Sequence, residues 1–156
     1  MIGIKKIEIK VNSNITENLK KVQKCLNRLI PGHEIEKNQL ISEVKGIFGN
    51  TIKILHMEIK NEKLISEIIS VLAEKLSHAD KKKLFNEFFK RLGNKMSFYL
   101  RFKKSNLFND NYSLYDGSDV IRIILYFFDL QTKSPKKLNP LDLREYLVIS
   151  NIMVKE

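Results

Sequence analysis

Apolar and polar residues alternate from Ile7 to Val11, with Ile7, Ile9 and Val11 set against Glu8 and Lys10, the period of a strand with one buried face. The period then lengthens. Leu19, Val22, Leu26 and Leu29 recur at three- and four-residue spacing, which predicts a helix from about Thr16 to Leu29. Asn14 with Glu17 supplies its capping pair, and Pro31-Gly32 stops it. From Gln39 to Lys60, two runs rich in Ile, Leu and Val flank Gly46-Ile47-Phe48-Gly49-Asn50. Glycine and asparagine take φ > 0 at little steric cost, so this stretch predicts a long antiparallel hairpin.

Helical spacing returns at Leu64, Ile65, Ile68, Ile69, Leu72 and Leu76, behind a cap at Asn61. A third helix follows from Ser77 to Leu92, with Ser77 and Asp80 at its start and Gly93-Asn94 at its end. Leu84, Phe85, Phe88, Phe89 and Leu92 make it a helix pressed into a core, not the polar recognition helix of a helix-turn-helix. Met96 to Lys104 alternates again, Phe98, Leu100 and Phe102 on one side, Tyr99, Arg101 and Lys103 on the other. Val120 to Phe127 is almost wholly apolar and predicts an interior strand, where Arg122 needs a carboxylate or a sheet edge. Asp129 to Asn139 has the composition of a linker, and Asn139-Pro140 opens a last helix over Leu141 to Val154. The expected fold is α+β, a mostly antiparallel sheet of four or five strands with helices packed on one face. Residues 1–128 are expected to form the main domain and 129–156 a linker with a helical appendage.

Composition changes this picture in one respect. In 156 residues, 28 Lys and Arg stand against 18 Asp and Glu, a formal net charge of +10. Such an excess calls for a polyanion or an anionic surface as partner, although a solvated lysine-rich surface has the same composition. Cys25 is the sole cysteine, and His33, His56 and His78 stand far apart, so no metal site and no cofactor is expected. No phosphate loop, dinucleotide fingerprint or nucleophile elbow is present, and the chain is expected not to be an enzyme. No apolar run approaches the ~18 residues of a membrane span and no signal peptide opens the chain, so a cytoplasmic protein without membrane association is expected.

Three groups of residues are candidates for contact with RNA. Lys20, Lys24 and Arg28 recur every fourth position on the first helix, either a solvated face or a row that follows a phosphate backbone. Lys45, Phe48, Asn50 and Lys53 surround the hairpin tip, where Phe48 either folds back onto the sheet or stands out as a stacking platform. Tyr99, Arg101, Lys103 and Lys104 place aromatic and basic groups on one late strand, which suits base stacking beside phosphate neutralisation and equally suits ordinary cross-strand pairing.

Several local phrases then form an ordered set: Leu29-Ile30-Pro31, Gly46-Ile47-Phe48-Gly49-Asn50, Ser97-Phe98-Tyr99-Leu100-Arg101-Phe102, and Asp116-Gly117-Ser118-Asp119-Val120-Ile121-Arg122-Ile123. Over residues 4 to 127 the chain resembles archaeal proteins classed as predicted RNA-binding and exosome-subunit-like. Those proteins are similar in fold to the large-subunit ribosomal protein that binds 5S rRNA. A family tip carries Tyr where Phe48 stands here. The resemblance implies a non-catalytic RNA-binding protein, an accessory of RNA processing or degradation with RNA and a protein complex as partners. The alternative is a structural or assembly protein that docks a protein partner through its sheet or hairpin. Gly46-Ile47-Phe48-Gly49 also spells the backbone clamp of KH domains, but that loop joins helices and this one joins strands.

Overall fold

A computed structural model describes residues 1–13, 18–30, 39–45, 49, 51–133 and 138–155. Strand β1 (Ile2–Ser13) leads to helix α1 (Leu19–Leu29), and then to the hairpin of β2 (Gln39–Lys45) and β3 (Thr51–Ile59). Helix α2 (Glu62–Lys75), helix α3 (His78–Asn86) and the single turn α4 (Phe88–Arg91) follow. Strand β4 (Leu92–Gly93), β5 (Ser97–Lys103), the short α5 (Lys104–Phe108), β6 (Val120–Asp129) and α6 (Pro140–Ile149) complete the chain. The strands form one sheet in the order β2-β3-β1-β6-β5-β4, every pairing antiparallel.

The sheet has six strands, not four or five. The extra one, Leu92–Gly93, pairs with Phe98 and Ser97 and is too short to show any alternation. Its residues stand where the sequence predicts a helix end. The helix expected over Ser77 to Leu92 breaks at Glu87, whose φ of −99° and ψ of 17° leave the helical region. The hairpin forms as expected, and Gly49 takes φ +79°, a conformation that glycine adopts without strain. Asn61, Ser77 and Asn139 each accept a hydrogen bond from the first turn of their helices, as their positions predict. For α1, the cap among the described residues is Asn18, which accepts from Lys20 N; the expected Asn14/Glu17 pair lies outside them. The last helix ends at Ile149, five residues early, and Asn151 turns the chain with φ 62°.

One face of the sheet is covered. Ile7, Ile9 and Val11 of β1 align with Ile59, Met57 and Leu55 of β3 and with Leu125, Ile123 and Ile121 of β6. Phe98, Leu100 and Phe102 of β5 extend the same face. Against it pack Val22, Leu26 and Leu29 of α1, Ile68 and Leu72 of α2, and Leu84 and Phe88 from α3 and α4. Phe88 stacks on Phe98 with ring centroids 5.6 Å apart. Leu138, Leu143, Leu147, Ile152 and Met153 are buried in this same cluster, so the C-terminal helix shares the core of residues 1–128. Because the described helices pack on this side, the side chains that alternate with the core rows form the other, open face.

Candidate nucleic-acid interface

The register that aligns the core rows also fixes the rows between them. Lys10 of β1 stands opposite His56 of β3 on one side and Arg122 of β6 on the other, and Arg122 stands opposite Arg101 of β5. Three full cations thus lie abreast on neighbouring strands, across two inter-strand spacings or roughly 10 Å. Among the described residues, no carboxylate lies within ion-pair distance of Lys10, Arg101 or Arg122. Like charges directly opposite one another destabilise a sheet. This row is held in place by the core beneath it and against its own repulsion.

Arg122 corrects the expectation attached to it. It sits in an interior strand, yet it needs neither a carboxylate nor a sheet edge, because its side chain is exposed on the open face. The apolar run around it is dense for a separate reason. Ile124, on the open face, is buried at 5% exposure although it is no part of the main core.

A groove of about 420 Å³ runs beside the row, lined by Lys10, Asn12, Ser42, Ile54, His56, Ser118, Val120 and Arg122. Its walls offer hydroxyl, amide and imidazole groups next to the cations. The Nε2 atom of His56 is shielded from solvent and has no hydrogen-bond partner among the described residues. Tyr99, one row along on β5, is half-buried, and its ring lies against Gly93: a Cβ there would come within 2.2 Å of the ring Cε2. Lys103 continues the face with its Nζ 5.1 Å from the centre of the Tyr115 ring.

The far end of the face is neutralised internally. Lys6 Nζ donates to Glu58 Oε1 at 2.7 Å and to Glu8 Oε1 at 3.4 Å, and lies 4.7 Å from the centre of the Tyr126 ring. Tyr126 donates its hydroxyl to Glu8 Oε2 at 3.0 Å. The hydrogen bond to Glu58 raises the Lys6 pKa in spite of burial, and the same bond lowers that of Glu58. Burial, reinforced by the bond to Glu8, raises that of Tyr126.

The candidates read from the sequence divide accordingly. Tyr99, Arg101 and Lys103 share the open face. Lys104 does not: it is buried at 4% exposure, donates to the Asn12 carbonyl at 2.5 Å, and pairs with Asp119 at 3.1 Å. The strand ends at Lys103, and the first residue of α5 turns inward. Lys20, Lys24 and Arg28 are exposed, but on α1, which covers the opposite side of the sheet. By register, Lys53 and Lys45 also fall on the helix side, Lys53 paired with Glu43 and with Ser13. Phe48 and Asn50 lie outside the described residues. Lys10 and Arg122, which make up the row with Arg101, are not among the RNA-contact candidates that the sequence offers. Lys10 was visible as the polar partner of Ile9 and Val11, but only the pairing register brings it beside Arg122.

A family model described as RNA binding matches residues 6–127. The chain belongs to that RNA-binding family. RNA-binding protein PAB1135 of Pyrococcus abyssi is 30% identical over 120 residues, which span 75% of this chain and 77% of that protein. Two solved archaeal structures share the fold. Protein AF2318 of Archaeglobus fulgidus superposes with a TM-score of 0.78 at 19% identity, over 95% of this chain and 99% of that one. Mth689 of Methanothermobacter thermautotrophicus does so at 0.73 and 19%, over 92% and 98%. Among the described residues no helix is long and apolar enough to cross a membrane, and no group of His, Cys, Asp and Glu is placed to hold a metal ion.

Proposed function

We infer that the protein is a non-catalytic RNA-binding module that engages single-stranded or irregular RNA on the open face of its sheet. The observation that carries this reading is the row Lys10–Arg122–Arg101, which has no acidic partner among the described residues. A sheet gains nothing from aligning three like charges, and a phosphate backbone laid across them removes the repulsion and releases its own counterions. Tyr99 beside the row supplies an aromatic ring of the kind on which unpaired bases stack. Action beside RNA processing or degradation machinery is the setting that the family resemblance brings, and a cytoplasmic location is the one that the sequence leads us to expect. The protein-docking alternative suits this face less well, since interface cores are depleted in charge.

Fluorescence anisotropy with a mixed pool of short single-stranded RNAs tests the reading. Neutralising about four phosphates gives a slope of log K against log salt near −3. Absence of binding even at low salt would overturn it.

A further inference from the structure

The cation row leads into a pocket at the edge of β5. At one end of that edge β4 pairs with Ser97 and Phe98, and at the other Tyr115 N donates to the Arg101 carbonyl at 3.0 Å. Between these two covers lies a cavity of about 470 Å³, lined by Glu87, Lys90, Arg91, Tyr99, Arg101 and Asp116. This volume falls in the range of small-molecule sites. Its carboxylates are held in place. Arg91, only 8% exposed, donates from Nη2 to Glu87 Oε2 at 3.0 Å and to Asp116 Oδ1 at 3.4 Å, while its buried Nε has no partner among the described residues. Asp116 Oδ2 lies 3.9 Å from Lys83 Nζ, and with the side chain 60% exposed and both cation contacts long, its carboxylate keeps lone pairs for further donors.

We propose that this pocket takes one unpaired guanine base of the RNA held by the cation row, an assignment that rests on the RNA reading of the open face. Arg101 belongs to both places, so a strand whose phosphates follow Lys10, Arg122 and Arg101 arrives at the pocket mouth with a base beside Tyr99. The half-buried Tyr99 ring supplies a surface for stacking, as in other single-strand readers. Specificity comes from the carboxylates. Guanine is the base whose pairing edge offers two adjacent donors, the N1–H and the N2 amino group, and these match a carboxylate. Adenine and cytosine put a ring acceptor beside their single amino group. Uracil flanks its one N–H with two carbonyls. Each of these would press an acceptor against Asp116 or Glu87. The cations Arg101 and Lys90 suit guanine's O6 and N7 acceptors.

The test uses three labelled heptamers: all uridine, uridine with one central guanosine, and uridine with one central adenosine. At fixed salt the guanosine heptamer is expected to bind about tenfold tighter than the other two, the scale of one well-made bidentate contact. Replacing both acceptors, Glu87→Gln with Asp116→Asn, is expected to bring the guanosine affinity down to that of the adenosine heptamer. Equal binding of all three by the natural protein overturns the pocket assignment and leaves RNA binding on the open face standing. A preference that survives the double substitution also overturns it. Failure of every heptamer to bind at low salt removes the RNA reading and the pocket together. Should the variant not fold, the comparison of three heptamers on the natural protein still decides.

Discussion

Two patches on the open face share the same strands and differ in one respect. At one end, Lys6, Glu8, Glu58 and Tyr126 satisfy one another through contacts of 2.7 to 3.4 Å. A few residues farther along, Lys10, Arg122 and Arg101 stand abreast with no acidic partner among the described residues. Both patches lie on the open face and both rest on the same core rows. The first is what a sheet does with charge when stability alone is at issue: opposite charges and a hydroxyl close a small network worth a few tenths to about 1 kcal/mol. The second gives up that gain. Charge without an internal partner, at a place where the fold could have supplied one, is charge left for something outside.

The largest expected effect comes from removing that difference. The triple variant Lys10→Gln, Arg101→Gln, Arg122→Gln keeps the long side chains and deletes the charge. Three phosphates at a share of ~0.7 each should flatten the salt slope by about 2. Carried from 1 M salt, where the electrostatic contribution vanishes, to 0.05 M, that amounts to about 400-fold in affinity. Folding stability should stay level or rise by up to about 1 kcal/mol as the like-charge contacts disappear. Salt-dependent anisotropy and urea denaturation read the two quantities separately. Affinity and stability falling together would make the row structural.

Lys104 sharpens the comparison from the other side, because it adjoins Lys103 in sequence yet belongs to the interior. Its ammonium bonds the Asn12 carbonyl and Asp119. Lys104→Met leaves that carbonyl unanswered while Asp119, about half exposed, turns to solvent. A stability loss of roughly 1.5–3 kcal/mol is expected, the scale of a hydrogen bond to a charged group. The salt slope of RNA binding should not change. A slope lowered by ~0.7 would return Lys104 to the interface.

These contrasts mark what a linear reading can and cannot reach. Alternation in β1 and β5 and helical spacing in α1 and α2 disclosed which residues enter the core, since burial leaves a period in the sequence. Caps at Asn61, Ser77 and Asn139 were equally legible, because a cap depends on its own first turn. The cation row was not. Lys10 and Arg122 are 112 positions apart, and their adjacency is a fact of register, which no local pattern encodes. Arg122 was obscured further by the apolar run around it, where an open-face Ile124 hides the alternation. Lys104 is hard to place for the converse reason: Arg101, Lys103 and Lys104 look alike in the sequence until the strand ends at Lys103.

The smallest effect belongs to the neutralised patch, and it tests the comparison most directly. Lys6→Ala removes one cation from the open face, as Arg122→Gln does, but this cation is already spent on Glu58 and Glu8. Its loss should cost about 0.2–1 kcal/mol of stability, the range of solvent-exposed pairs. The cost should depend on pH with a definite sign. The hydrogen bond from Lys6 holds the Glu58 carboxyl below its ordinary value of 4.5, so the folded protein takes up that proton less readily than the unfolded chain. That contribution is complete above pH 4.5 and is lost as the pH falls through the lower folded value. The Lys6 ammonium is shifted upward, chiefly by the same bond, so its contribution is complete below its ordinary 10.5 and is lost as the pH rises through the higher folded value. Urea denaturation of the natural protein and Lys6→Ala should therefore differ most near neutrality and converge at both extremes. In RNA titrations, Lys6→Ala should leave the salt slope where it was. If it flattened that slope by ~0.7, as one phosphate-bound cation would, then an internal partner does not withdraw a charge from RNA, and the two patches are one surface.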